Sequence, residues 1–167
     1  MTLMKSVWLR KLEQYLGEAG LIRVHPESTE LTARAAVEAL AALPHYDQIW
    51  TGDLHTSVQI VLVASGERLP GVEFSRRAQL LRDRAVSLST RVKGEVQVLQ
   101  LAVYERPVPP EEREFVLEKA RVASRWPLAR GRVATWVVAL AEPALHAGAF
   151  RGWPPELSPD QLRTLLG

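Results

Sequence analysis

Three stretches of this chain are apolar at almost every position: VQIVLVA (58–64), EVQVLQLAVYE (95–105) and RVATWVVALAE (132–142). Apolar runs with little polar alternation read as strands covered on both faces, as in the centre of an α/β sheet. Between them the pattern changes to a helical period. EFSRRAQLLRDRAVSLS (73–89) brings Phe74, Ala78, Leu81, Ala85 and Leu88 to one face. Pro110, followed by Glu111 and Glu112, opens a further helix through EEREFVLEKARVAS (111–124), because proline suits the first helical position and acids suit the first turn.

Two helices are expected ahead of the first strand. SVWLRKLEQYLGEAGLI (6–22) places Trp8, Leu12, Tyr15, Leu16 and Ala19 on one face and stops near Gly20. TELTARAAVEALAAL (29–43), capped by Ser28 or Thr29, ends before Pro44. The intervening IRVHP reads as a short extended piece. At the other end, SPDQLRTLL (158–166) carries a capping box from Ser158 to Gln161.

This order predicts a single α/β domain over residues 1–167. It divides into a helical N-terminal part (1–44), a β-α-β-α-β core (45–152) and a C-terminal helix (153–167). The expected sheet has three to four strands, mostly parallel or mixed, flanked by helices and preceded by the two N-terminal helices.

Composition narrows the chemistry. There is no cysteine among the 167 residues, which excludes disulfides, thiolate nucleophiles and cysteine-held zinc. No apolar run approaches the ~20 residues of a membrane-spanning helix. The first segment is charged throughout and has no signal-peptide core, so cytoplasmic residence is expected. A net charge of +2 gives no broad field for nucleic acid.

The densest set of metal-ligating types is His45, Asp47, Asp53 and His55, beside the stretch TGDLHTS (51–57). Asp53 and His55, with Glu95 opening the next long strand, make a candidate site for a divalent metal. The competing reading of TGDLHTS is a polar entry turn with Gly52 as its hinge. Glu67, Glu105 and Glu142 recur just past the three strands, at the sheet end where α/β folds bind ligands. Neither a dinucleotide fingerprint nor a phosphate-binding loop is present. Arg76, Arg77, Arg82 and Arg84 form a basic helix face that nucleic acid would contact. Trp50, Trp126 and Trp153 stand near predicted element ends, as protein-binding anchors do. The closing segment from Ala149 offers a surface for a homodimer.

From Tyr46 to Gly152, through DLHTSVQIVLVASG and GEVQVLQLAVYERPVPPEE, the layout resembles the cytosolic amino-terminal domain of certain bacterial rhomboid intramembrane proteases. That resemblance implies a regulatory soluble domain without the protease's own active site. The mixture of a small sheet with flanking helices is also similar to the PD-(D/E)XK nuclease-like fold. There Asp53 stands for the aspartate and Glu95-Val96-Gln97 for the E-x-K, with Gln97 in place of lysine. Since no set of catalytic residues is complete, a non-catalytic binding or regulatory module is expected. The alternative is a divalent-metal-dependent hydrolase or nuclease-like protein.

Overall fold

A computed structural model describes residues 4–25, 46–54, 57–68, 80, 83–85, 87, 89, 95–111, 114, 131–147 and 153–167. Helix α1 runs from Lys5 to Glu18 and buries Trp8, Leu12 and Leu16. The four-residue spacing keeps all three on one helical face. Burial of such side chains stabilises the fold by about 1.5–3 kcal/mol each. The helix closes where its glycines predict. The Leu21 amide returns to the Leu16 carbonyl at 3.0 Å and the Gly20 amide to Gly17 at 3.1 Å. Gly20 sits at φ 95°, the left-handed conformation that this paired closure requires.

Among the described residues six strands follow: β1 (Ile22–Arg23), β2 (Gln48–Leu54), β3 (Ser57–Ser65), β4 (Glu95–Tyr104), β5 (Gly131–Ala139) and β6 (Ala144–His146). They lie side by side in chain order. β3, β4 and β5 run parallel. β1, β2 and β6 add antiparallel neighbours at the two sides.

The three apolar runs are thus the parallel centre of a mixed sheet, but the expectation of three to four strands is corrected to six. β1 and β6, at 2 and 3 residues, are too short to show a period. β2 carries Gly52 and Asp53 in its second half, so TGDL reads as a turn while pairing with β3 along its whole length. The expected pair of N-terminal helices is not matched among the described residues: they hold α1 alone, which leads into β1 within the stretch read as extended. The predicted second helix (29–43) lies outside the described residues.

Alternation along the strands builds two apolar faces. One receives α1: Trp8, Leu12 and Leu16 meet Trp50, Val61, Val63, Leu99, Leu101 and Trp136. On the other, Ala85 from the β3–β4 connection joins Val58, Ile60, Leu62, Val96 and Val98.

The C-terminal segment completes the α1 face. A 3-10 turn (Pro155–Leu157) leads into helix α2 (Pro159–Arg163), and Leu157 and Leu162 enter the same core as α1. Ser158 Oγ accepts the Gln161 amide at 3.3 Å, as the capping pattern predicts. Tyr15 donates its hydroxyl to the Glu156 carbonyl, and Lys11 Nζ reaches the Gly167 main-chain oxygen at 3.0 Å. The closing segment therefore packs on its own chain. Among the described residues no helix is long and apolar enough to cross a membrane.

Candidate functional site

Polar chemistry gathers at both ends of the parallel strands. At the amino end, β3 and β4 lie in equal register, with Ser57 opposite Glu95 and Gln59 opposite Gln97. Gln59 and Gln97 are 0% and 1% exposed. Gln59 Nε2 donates to Gln97 Oε1 and to Ser57 Oγ at 3.0 Å. Gln97 Nε2 in turn donates to Glu95 Oε1 at 3.3 Å. The two amides are thus aligned toward a carboxylate, and each bond polarises the next. Gln59 Oε1 is buried without a hydrogen-bond partner, a group that costs about 1–3 kcal/mol to leave so. Side-chain amides neither gain nor lose protons near neutral pH. This ladder therefore joins strands rather than moving protons.

Gly52 stands opposite Gln59 on the other side of β3. A Cβ there would come to 2.8 Å from Leu21 Cδ2 and 3.0 Å from the Gly20 carbonyl oxygen. Gly52 therefore serves close approach: the end of α1 settles on the sheet beside the amide ladder. The hinge expected of it is not its role.

Asp53 pairs with Val58 in the register, so it shares the face of Val58 and Val96. Glu95 and Ser57 lie on the opposite face with Gln59. The pleat thereby separates Asp53 from Glu95 through the thickness of the sheet. The register leaves two residues, His55 and Thr56, between Leu54 and Ser57; both are outside the described residues. Asp47 pairs with Lys5 at 3.6 Å. Among the described residues no group of three or more His, Asp or Glu is placed to hold a metal ion.

At the carboxyl end the main actor is Glu67, in the 3-10 turn that follows β3. Its Oε1 accepts the backbone amides of Glu105 at 2.7 Å and Arg106 at 2.9 Å. Ser65 Oγ donates to Oε2 at 3.1 Å. Burial pushes the Glu67 carboxyl up, but the amides of Arg106, Glu67 and Glu105 and the Ser65 hydroxyl outweigh it. Together they hold the group below the ordinary carboxylate range. Gly66 makes this turn possible, since a Cβ there would fall well inside contact distance of the Tyr104 ring. Of the three strand-end glutamates, Glu67 thus ties the exit of β3 to the exit of β4. Glu105 contributes its amide to that tie, while Glu142 is exposed in the β5–β6 turn.

The remaining candidates fall elsewhere. Trp50 is 7% exposed, and its indole donates to Gln48 Oε1 at 3.0 Å. Trp153 is half-buried, with its ring centroid 5.8 Å from that of Trp136 and its indole bonded to the Leu157 carbonyl. Arg84 is exposed. Arg76, Arg77, Arg82 and Trp126 lie outside the described residues.

The Gln59–Gln97 pair was not among the residues the sequence singled out as a site. Its signal is the shared pattern of SVQIV (57–61) and EVQVL (95–99). A glutamine stands third in each strand, so parallel pairing in equal register brings the two together. No family model, curated protein or solved structure matches this chain.

Proposed function

We propose that this chain is a non-catalytic binding or regulatory module of the cytoplasm that acts through a protein partner. The observation that carries this reading is the use made of Glu67. Open α/β sheets meet their ligands beyond the carboxyl ends of the strands. Here the strand-end carboxylate is engaged by the Glu105 and Arg106 amides and the Ser65 hydroxyl. It fixes the chain leaving β4 as an exposed ledge, which suits recognition better than proton transfer.

Thermal melting in Mg²⁺, Mn²⁺ and Zn²⁺ separates it from the alternative, a divalent-metal hydrolase or nuclease-like protein using Asp53, His55 and Glu95. A site saturated ~100-fold above its dissociation constant adds about 2.7 kcal/mol, a rise of roughly 5–10 °C for a chain of this size. The expected result is an unchanged midpoint with all three ions. A rise of that size, abolished in Asp53→Ala and Glu95→Ala, overturns the binding reading in favour of the metal enzyme.

A further inference from the structure

Two successive backbone amides, those of Glu105 and Arg106, converge on a single oxygen at the exit of β4, 2.7 and 2.9 Å from Glu67 Oε1. Both residues lie in a bend. Successive amides turned to one side in this way form a nest, a concavity that binds anions. The Ser65 hydroxyl, at the end of β3, reaches the second oxygen, Oε2, at 3.1 Å. A carboxylate thus has both of its oxygens gripped by donors from two neighbouring parallel strands. The grip lies at the sheet end where α/β folds take their ligands.

The surrounding fold anchors this cradle on every side. Upstream of the bend, the Tyr104 carbonyl accepts the Leu140 amide at 2.9 Å, which holds the end of β4 to the end of β5. Downstream, Val108 packs against the cluster of Ala102, Tyr104 and Val137. Ser65 stands in the β3–β4 register opposite Val103. Gly66 lies so close to the buried Tyr104 ring that a Cβ would collide with it, so that ring floors the turn. The occupant is different, because Glu67 is exposed and its side chain reaches the nest through single bonds that rotate. A carboxylate arriving from solution would make the same charge-assisted hydrogen bonds that Glu67 gives up, while Glu67 swings into water. What favours the resident group is its local concentration, on the order of millimolar for a short tether.

We propose that the nest formed by the Glu105 and Arg106 amides with the Ser65 hydroxyl is a binding site for a carboxylate ligand, and that Glu67 is its resident, displaceable stopper. A carboxylate ligand goes beyond the partner reading and needs no protein partner for its test.

Acetate, the simplest probe, is titrated into the isotope-labelled full chain and into Glu67→Ala at constant ionic strength, with chloride as the balancing ion. The amide signals of Glu105 and Arg106 are the reporters. Glu67→Ala should bind acetate saturably, its two reporter signals moving toward their wild-type positions. Wild type should bind at the same signals at least about tenfold more weakly, because its own carboxylate competes. Glu67→Gln, which keeps a neutral oxygen in the nest, should fall between the two, and it serves alone if Glu67→Ala melts early. Adding Ser65→Ala to either variant should weaken acetate roughly tenfold, the loss of one hydrogen bond to a charged group. No saturable shift in either Glu67 variant, or shifts confined to other amides, overturns the site. Saturation in the variants with none in folded wild type overturns the stopper and leaves Glu67 a fixed strut. The melting result with divalent ions concerns Asp53, His55 and Glu95, so failure here and failure of the binding-module reading are told apart.

Discussion

The two ends of the parallel strands use similar residues in opposite ways. At the amino end, Gln59 and Gln97 are sealed between the sheet and what covers the α1 face, and they bond chiefly to side chains. At the carboxyl end, Glu67 is exposed and bonds mainly to backbone amides. A neutral amide tolerates burial better than a charge does, even with Gln59 Oε1 left without a partner. A carboxylate carries a charge that burial would penalise heavily, so it works at the rim, where water reaches it. The first arrangement fixes how β3 and β4 align; the second fixes how the chain leaves them.

Overpacking at the carboxyl end should have the largest effect. Gly66→Val sets two branches of side chain against the Tyr104 ring, which is itself 3% exposed and has little room to move. We expect a loss at or above the upper end of the ~1–3 kcal/mol typical of overpacked cores, measured by urea unfolding. A loss below ~0.5 kcal/mol, within the range of ordinary surface substitutions, shows that Tyr104 is free to swing away.

The amino end is tested by a double-mutant cycle. Gln59→Met and Gln97→Met each strand an amide partner in the interior and should cost about 1–3 kcal/mol apiece. The double variant removes both polar groups at nearly constant volume, so its loss should fall well short of the sum of the two. Strict additivity contradicts a coupled pair. Next in size comes Gly52→Ala, whose new methyl meets Leu21 and the Gly20 carbonyl. The leucine side chain can rotate but the carbonyl is held by helix closure, so a loss near ~1 kcal/mol is expected. Unchanged stability shows that the α1 end is loosely seated.

What was legible in the sequence follows from how far each signal extends. β3, β4 and β5 are long and buried on both faces, so composition alone marks them. β2 is long as well, but its polar half pairs with β3 while Gly52 and Asp53 imitate turn chemistry. Its identity depends on a partner strand and on the space Leu21 needs, neither of which is local. The same holds for the sites. Asp53 and Glu95 look close in a list of polar residues flanking the sheet. A one-residue difference in pleat puts them on opposite faces. Gln97 drew notice as a replacement for lysine, whereas its structural meaning appears only once Gln59 is placed opposite it.

The smallest expected effect discriminates most sharply between the two ends, because the tie at the carboxyl end is itself a carboxylate, whereas the Gln59–Gln97 bond joins two neutral amides. The Glu67 carboxyl is held below its ordinary value of 4.5 in the folded chain. A depressed carboxyl contributes stability that is fully present above the unfolded-state value and is lost as pH falls through the folded-state value. Wild type should therefore exceed Glu67→Gln in stability at pH 7, with the gap closing on acidification from about pH 5 downward, below both values. The substitution keeps the shape and leaves the other carboxylates in place, so the difference between the two curves isolates this group. Gln59→Met, whose bonds go to Ser57 and Gln97 and to no carboxylate, should shift stability by a nearly constant amount over the same range. Urea midpoints at pH 7, 5, 4 and 3 provide the comparison. A Glu67→Gln gap that stays constant with pH means the amides of Glu105 and Arg106 bind an oxygen for its position and not for its charge.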